Sequence, residues 1–197
     1  MKYEAFPLGA YQTNCYLCWD ENTKNCVIID PVYSPEVVLK AVEDRGLQPK
    51  MIFLTHGHFD HVGAVRPLYQ VLNIPVYLCD KDSDLPEELT AGPLCYTAEY
   101  DEGDTITLDS LTFRVLNTPG HTAGSVCLLC GEVIFSGDTL FAGSCGRTDL
   151  GGSWTQMLQS LHRLAELPGN YTVLPGHGPA TTMDYERRTN PYMRSTQ

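Results

Sequence analysis

Three histidines and one aspartate lie within six consecutive positions of this chain, in the stretch Thr55-His56-Gly57-His58-Phe59-Asp60-His61. Neutral imidazole and carboxylate are ligands that suit zinc or iron, which they bind at ~2.0–2.2 Å. On a helix, residues 56 and 58 would point about 200° apart, so a shared ion requires an irregular turn instead. The stretch therefore predicts a metal-binding loop.

Three further candidate ligands occur later in the chain, each after a short apolar run that predicts a strand. The runs are 111–116, 133–135 and 171–175, and the residues that follow them are His121, Asp138 and His177. The histidine-rich stretch also follows such a run, at 50–54. A glycine stands close to each candidate ligand and permits close approach of the backbone. The shared setting predicts that these side chains meet at one edge of a sheet.

The sixth histidine, His162, has a different setting. It lies inside an amphipathic helical pattern but outside its apolar stripe, which consists of Met157, Leu158, Leu161, Leu164 and Ala165. We therefore interpret His162 as a surface residue without a metal-binding role.

The remaining sequence predicts strands and helices around these turns. Residues 15–19 and 26–29 form a predicted hairpin. A first helix is expected to begin with Ser34 as its cap and Pro35 in its first turn, and to end at Gly46.

Two more helices are predicted further along the chain. Ser153 and Gln156 match a capping box at the start of one of them. The other covers residues 62–72, although Pro67 lies within it.

Length and composition favour one domain over residues 1–197. The chain has 43% hydrophobic residues, enough for one sizeable core. Residues 80–104 are rich in acid, proline and glycine and are expected to form a long surface excursion, with the charge run at 80–84 solvated. Because no apolar run is long enough to span a bilayer and no export signal begins the chain, we expect a soluble, cytoplasmic protein.

The eight cysteines are expected to be structural, reduced thiols. Cys15 and Cys18 have zinc-knuckle spacing, as do Cys127 and Cys130, but both pairs lie in predicted strands. Residues three apart on a strand face opposite ways, which disfavours a shared metal ion. Cys145 follows Asp138 closely, so it is a candidate for the lining of the site.

Charge limits the partners that this chain can bind. Its 13 basic residues are scattered among 24 acidic ones, for a net charge of −11, so binding to nucleic acid is disfavoured. Two divalent ions would nevertheless make the site itself positive by roughly one charge, which favours a small anionic substrate.

The complete pattern resembles the metallo-β-lactamase superfamily and, within it, the glyoxalase II-like hydrolases. The resemblance covers nearly the whole chain and rests on Thr13-Asn14-Cys15-Tyr16, Ile28-Ile29-Asp30-Pro31, the ligand residues and Pro175-Gly176-His177-Gly178. It implies an α/β (α+β) fold, a four-layer αββα sandwich with the metals at one edge. By position, it implies that one metal binds His56, His58 and His121, that the other binds Asp60, His61 and His177, and that Asp138 bridges the two.

This ligand set predicts hydrolysis by a hydroxide that two metals share. Two ions can lower the pKa of a water molecule towards about 7, and the hydroxide can then attack a carbonyl. Asp60 would orient the nucleophile or receive its proton, with Asp138 as the second catalytic carboxylate. Zinc is the expected metal, and the ligands also accept iron or manganese. The resemblance implies a thioester of the hydroxyacylglutathione type as the substrate.

The glyoxalase II family also has a C-terminal helical region that helps to bind glutathione, whereas this chain ends about twenty residues after His177. Arg147 is the candidate for binding a substrate carboxylate, and an ion pair with Asp149 is the alternative.

Other functions remain compatible with the sequence. A persulfide dioxygenase has a similar scaffold and a Gly-Arg-Thr-Asp stretch, and would use one iron bound by His56, His121 and Asp138. A metal-binding module without turnover is a further alternative. A β-lactamase is disfavoured because Asp138 stands where a cysteine ligand is common and no export signal is present, and an RNA-processing nuclease is disfavoured by the acidity and short length of the chain.

Overall fold

The computed structural model describes residues 1–194. Its strands, in chain order, are β1 (Lys2–Leu8), β2 (Thr13–Trp19), β3 (Asn25–Ile29), β4 (Gln48–Phe53), β5 (Val76–Leu78), β6 (Ala98–Glu99), β7 (Thr105–Leu108), β8 (Leu111–Asn117), β9 (Val126–Cys130), β10 (Val133–Gly137), β11 (Leu140–Phe141), β12 (Ser144–Cys145), β13 (Thr172–Pro175) and β14 (Thr181–Thr182). Its α-helices are α1 (Pro35–Asp44), α2 (Phe59–Val62), α3 (Val65–Leu72), α4 (Glu87–Thr90), α5 (Trp154–Ala165), α6 (Met183–Thr189) and α7 (Pro191–Arg194). A 3₁₀ turn covers Asp80–Asp82.

Twelve of the fourteen strands in residues 1–194 form two mixed six-stranded sheets, and β11 and β12 form a separate antiparallel pair. The first has the order β1-β2-β3-β4-β5-β6, antiparallel up to β3 and parallel from there on. The second has the order β14-β13-β10-β9-β8-β7, in which only the β10–β13 pairing is parallel. The predicted hairpin at 15–19 and 26–29 is confirmed by the antiparallel pairing of β2 with β3.

Three buried apolar clusters separate four layers of structure. The outer cluster of the first sheet packs against α1 and α3, the middle cluster lies between the sheets, and the third packs the second sheet against α5. Successive side chains of a strand point to opposite faces of the sheet, and β2 shows this. Leu17 belongs to the outer cluster, whereas its neighbour Tyr16 belongs to the middle one. The expected αββα arrangement is confirmed.

Aromatic packing fixes the end of β4, which leads into the histidine-rich loop. The buried ring of Phe53 makes edge-to-face contacts with Phe113, Tyr77 and Tyr100, with centroid distances of 5.1, 5.3 and 6.0 Å. Such pairs contribute ~0.5–1.5 kcal/mol each beyond their buried area. The hydroxyl of Tyr100 also donates a hydrogen bond to the carbonyl of Leu54. The loop therefore starts from a rigid strand end.

The cysteines lie as the strand pattern predicts. Cys15 belongs to the outer cluster of the first sheet and Cys18 to the middle one, while Cys127 and Cys130 belong to the third and the middle cluster. All eight are free thiols. Cys145 is half-buried against the third cluster, and burial raises the pKa of its thiol to about 11.

Two helix predictions need correction. Residues 62–72 do not form one helix, because Val62 ends α2 and α3 begins at Val65. Pro67 then lies in the first turn of α3. Backbone N–H groups in a first turn have no acceptor within the helix, so the missing N–H of proline costs no helical hydrogen bond. Ser34 precedes α1 as expected, but it has a φ of +67° and its side chain makes no capping hydrogen bond.

The helix predicted to start after Ser153 is α5. Oγ of Ser153 accepts a hydrogen bond from the N–H of Gln156 at 3.4 Å. The backbone N–H of Ser153 donates to the carbonyl of Gly120, so only half of the expected capping box forms. His162 lies on the surface of α5, as predicted, 3.4 Å from Glu166.

The segment at 80–104 is more structured than its composition suggests. It contains the 3₁₀ turn, α4 and β6, which extends the first sheet in parallel to β5. Asp82 is fully buried, so the expectation that the whole charge run at 80–84 is solvated is wrong at that residue. Within residues 1–194, no helix is both long and apolar enough to cross a membrane.

Candidate metal centre

The four predicted turns meet at one edge of the two sheets. His56 and His58 follow β4, Asp60 and His61 lie in α2, and the other three candidate ligands are His121 after β8, Asp138 after β10 and His177 after β13. The structure brings all seven side chains together. Three groups have ligand atoms within 4.8 Å of one another: His56, His58 and His121; His56, His61 and Asp138; and Asp60, His61 and His177.

The first group is a buried triad of imidazoles. Nδ1 of His58 lies 2.8 Å from Nε2 of His121, and the ring of His56 meets both rings edge-on at centroid distances of 4.9 and 4.6 Å. All three residues are at most 3% exposed. Three nitrogens that converge in this way can bind one face of a tetrahedral ion.

The second group is more open and contains one carboxylate. Oδ2 of Asp60 lies 3.3 Å from Nε2 of His177 and 3.9 Å from Nε2 of His61. The side chain of His177 is 26% exposed, whereas that of His61 is fully buried. This group therefore faces the solvent side of the centre.

Asp138 stands between the two groups. Its Oδ1 is 3.3 Å from Nε2 of His61, and its Oδ2 is 3.4 Å from Nε2 of His177 and 3.5 Å from Nε2 of His121. One carboxylate thus faces ligand atoms of both groups. This geometry is suited to bridging two cations.

Hydrogen bonds on the outer side fix the orientation of the imidazoles. Nε2 of His58 donates to the carbonyl of Leu150 at 3.1 Å, and Nδ1 of His121 donates to the carbonyl of Arg147 at 2.6 Å. Nδ1 of His177 lies 3.2 Å from the carbonyl of Tyr11. Because a carbonyl only accepts, the inner nitrogen of each neutral ring carries a lone pair that points into the centre.

Asp30 orients two further imidazoles and was given no role from the sequence. Its Oδ2 accepts from Nδ1 of His61 at 2.9 Å and from Oγ1 of Thr55 at 2.6 Å, and its Oδ1 accepts from the backbone N–H of Thr55 at 2.7 Å. Since the hydroxyl of Thr55 donates to Asp30, its oxygen accepts from Nδ1 of His56 at 3.2 Å. Its position in the sequence was the available signal, because Asp30 directly follows β3 as Asp138 directly follows β10.

Asp82 is the second residue that the sequence did not single out. Its carboxylate accepts from the N–H of Gly57 at 2.8 Å, the N–H of Gly124 at 2.6 Å and the hydroxyl of Thr122 at 3.0 Å. It therefore joins the histidine-rich loop to the turn that carries His121. These bonds compensate for burial, which raises the pKa of this carboxyl.

Close approach at the centre requires glycine at two positions. A Cβ on Gly176 would lie 2.2 Å from Oδ1 of Asp138 and 2.7 Å from Cε1 of His61. Gly137 has a φ of +47°, and a Cβ there would lie 2.4 Å from Oγ1 of Thr55. Side chains at these positions would push the ligands apart.

Three buried ligand atoms have no hydrogen-bond partner, namely Nε2 of His56, Nε2 of His61 and Oδ1 of Asp138. A buried polar atom without a partner costs ~1–3 kcal/mol, more if it is charged. Lone pairs of His58 and His121 that face each other at 2.8 Å would also repel without a cation between them. The residues therefore fit two bound divalent ions.

The pKa shifts differ between the two groups of ligands, and those of His56 and His58 favour the neutral form. Burial and the neighbouring imidazoles hold the pKa of His56 well below its usual value, and burial and His121 lower that of His58 to about 4. Both rings are thus neutral at pH 7, as ligands must be. Burial works against the charged forms of His61, His177 and Asp138, but the attraction between these groups raises the pKa of His61, raises that of His177 to about 9 and lowers that of Asp138. Without a cation both imidazoles are therefore protonated at pH 7, and a metal ion bound there would have to displace these protons.

A cavity of about 180 Å³ opens beside the ligands. Its other lining residues are Tyr11, Phe59, Leu89, Arg147 and Leu150. The guanidinium of Arg147 makes two hydrogen bonds of 2.6 Å to Asp149, so the structure contains the ion pair that was the alternative for this residue. Both side chains are more than 60% exposed, which weakens the pair through solvent screening.

The chain is similar to known proteins over almost its full length. A model described as the Metallo-beta-lactamase superfamily matches residues 8–177. Hydroxyacylglutathione hydrolase GloC of Haemophilus influenzae is 36% identical, and the match covers 99% of each chain.

Three solved structures have the same fold. The B3 metallo-beta-lactamase BLEG-1 has a TM-score of 0.89 and 37% identity, with 98% of this chain and 100% of that chain covered. TTHA1623 in a di-iron-bound form has a TM-score of 0.85 and 42% identity, with 96% and 99% covered. ETHE1 from Myxococcus xanthus has a TM-score of 0.89 and 31% identity, with 100% and 86% covered.

Proposed function

This chain belongs to the metallo-beta-lactamase superfamily and is a metallo-hydrolase, and we propose that it cleaves thioesters of the hydroxyacylglutathione type. The observation that carries the proposal is the position of Asp138, which faces two complete groups of ligand atoms. The whole-length similarity to GloC supports the choice of thioester.

We assign one metal ion to His56, His58 and His121 and the other to Asp60, His61 and His177, with Asp138 shared. Two divalent ions bound there would polarise a carbonyl group and lower the pKa of a water molecule towards about 7. Zinc suits the nitrogen-rich donors. Iron and manganese remain alternatives, and the di-iron form of TTHA1623 favours iron among them.

Asp60 is the residue to which we assign proton transfer. Its Oδ2 accepts a hydrogen bond from Oγ1 of Thr13 at 2.9 Å and lies 3.3 Å from Nε2 of His177. Burial raises the pKa of Asp60, but His177 and His61 lower it by more, so the group is a carboxylate at pH 7. Because both contacts involve Oδ2, we assign the proton of the attacking water to Oδ1.

We propose Arg147 as the group that attracts an anionic substrate to the mouth of the cavity. The guanidinium would release Asp149 and bind a carboxylate of the substrate in its place. The cost of this exchange is small because the ion pair between Arg147 and Asp149 is exposed to solvent. We also propose that residues 1–197 form one domain and that the protein is cytoplasmic, which the eight free cysteines support.

The proposal is tested by assaying metal-loaded protein with S-D-lactoylglutathione, with a β-lactam as the comparison substrate because of the similarity to BLEG-1. We expect thioester cleavage with kcat/KM above ~10⁴ M⁻¹s⁻¹ that a chelator abolishes and added metal restores. Cleavage of the β-lactam alone, or of neither compound, would contradict the proposal. The second outcome, combined with no oxygen uptake on glutathione persulfide, would instead favour a metal-binding module without turnover.

A mononuclear-iron persulfide dioxygenase is the second candidate. The observation in its favour is that His56, His121 and Asp138 also lie together, with Nε2 of His121 3.5 Å from Oδ2 of Asp138. The similarity to ETHE1 leaves this alternative open. His177→Ala separates the two, because it removes a ligand that only the second metal needs. A hydrolase loses most activity in this variant, whereas a one-iron dioxygenase keeps its oxygen uptake with glutathione persulfide.

A further inference from the structure

Two leucines form an apolar wall on one side of the cavity beside the ligands. We call Leu89 and Leu150 the leucine wall. Both are partly exposed, so they are available for contact. The cavity that they line, about 180 Å³, is smaller than the ~300–1,000 Å³ typical of pockets for larger ligands.

Hydrogen bonding holds Leu150 beside the three-histidine group. Its carbonyl accepts from Nε2 of His58 at 3.1 Å. The next residue, Gly151, has a φ of +85°, and a Cβ there would lie 3.6 Å from Cδ1 of Leu89. This is an ordinary van der Waals distance, and Cδ2 of Leu85 lies closer still, 3.3 Å from the same position. The loop therefore packs directly against the segment that carries Leu89, so the two leucines lie on neighbouring segments.

Hydrogen bonds of Asp82 hold α4, which carries Leu89, in place. Asp82 binds the N–H groups of Gly57 and Gly124 five residues before α4 begins. Leu85 then packs over the histidine-rich loop, where its Cδ1 lies 3.1 Å from the position of a Cβ on Gly57. The position of Leu89 is thereby coupled to that of the metal-binding loop.

A thioester of glutathione has two unequal parts, a short acyl group and a long, charged tripeptide. The cavity is too small for the tripeptide, and an apolar wall disfavours the burial of its charged groups. Resting on the proposed hydrolase function, we infer that the acyl carbons beyond the scissile carbonyl pack against the leucine wall. Within the proposed acylglutathione class, the preferred substrates are thus those whose short acyl chain presents apolar carbons beyond the carbonyl.

The inference is tested by comparing acetylglutathione with butyrylglutathione, which adds two methylene groups. We expect the wild type to prefer butyrylglutathione by about tenfold in kcat/KM. Leu89→Ser and Leu150→Ser should each reduce this ratio to about threefold or less. Glu88→Ser, at an exposed position of the same helix, is the matched control and should keep the wild-type ratio.

Product binding gives a readout that does not depend on turnover. In zinc-loaded protein, butyrate should shift the methyl NMR resonances of Leu89 and Leu150 more than acetate does. Equal rates with both thioesters, or an unchanged ratio in both leucine variants, would overturn the inference while leaving the hydrolase function intact. Cleavage of S-D-lactoylglutathione but of neither probe would overturn the inference alone. If the wild type cleaves none of the three thioesters, the proposed function itself fails, and the inference fails with it.

Discussion

Nδ1 of His61 lies 2.9 Å from Oδ2 of Asp30, a fully buried contact between a candidate metal ligand and a carboxylate on the outer side of the centre. The contact directs Nε2 of His61 towards Asp138. Carboxylates in this position fix the tautomer of a histidine ligand and increase its basicity. The end of β3 therefore contributes to the site without providing a ligand.

Replacing Asp30 should weaken metal binding without removing a ligand. In Asp30→Asn, an amide N–H₂ must face either His61 or Thr55, both of which donate to this side chain. We expect the affinity of the second metal position to fall about 10–100-fold. Competition with a chelator measures this change. Asp109→Asn, at an exposed carboxylate that binds Thr23 and Asn25, is the control, and equal affinities in the two variants would refute the role of Asp30.

Asp82 should contribute strongly to stability. Asp82→Asn turns one acceptor atom into a donor, which must face either the N–H of Gly124 or both the N–H of Gly57 and the hydroxyl of Thr122. We expect a loss of about 3 kcal/mol in the free energy of unfolding, measured by urea denaturation of metal-free protein. Asp84→Asn, in the same charge run but exposed, should change it by less than ~0.5 kcal/mol. Similar losses in both variants would contradict this interpretation.

Acid should weaken a contact that links the two sheets. The hydroxyl of Ser110 and the N–H groups of Asn22 and Thr23 lower the pKa of Asp20 from 3.8 to about 2. A carboxyl group with a lower pKa in the folded than in the unfolded protein stabilises the fold above pH 3.8. This contribution is lost as the pH falls towards 2, because the carboxylate becomes protonated.

The comparison of wild type with Asp20→Asn isolates this effect. The difference between their melting temperatures, measured on metal-free protein, should be large at pH 6 and should shrink steadily as the pH falls below 4. A difference that stays constant over this range would show that Asp20 does not titrate as described.

The two serines before helices should differ in their contributions. Oγ of Ser153 accepts from the N–H of Gln156, whereas the side chain of Ser34 makes no capping bond. Ser153→Ala should therefore lower the free energy of unfolding by about 1 kcal/mol, and Ser34→Ala by less than ~0.5 kcal/mol. Thermal denaturation of the two variants tests this order, and the reverse order would contradict it.

Much of the centre could be predicted because its ligands share a local signal. His121, Asp138 and His177 each follow a strand and stand next to or near a glycine, and the structure brings them together with the stretch at 56–61. The four-layer fold follows from the same alternation of apolar strands and amphipathic helices. These features depend on residues that are close in sequence.

The groups around the ligands could not be found in this way. Asp82 has the sequence context of a solvated charge run, and its burial depends on N–H groups 25 and 42 residues away. Leu89 lies in a four-residue helix, and the position of this helix depends on the same hydrogen bonds of Asp82. Arg147 had two plausible partners, and only the loop geometry selected Asp149. Long-range contacts, rather than local pattern, determine these positions.

Metal stoichiometry tests the central claim most directly. Elemental analysis of zinc-loaded, dialysed wild-type protein should give two ions per chain, and His177→Ala, which retains the three-histidine group, should give one. His58→Ala and Asp138→Ala should each lose most of the metal and most of the activity. A wild-type content of one ion or fewer, or a full complement in Asp138→Ala, would contradict a centre in which one carboxylate joins two metal positions.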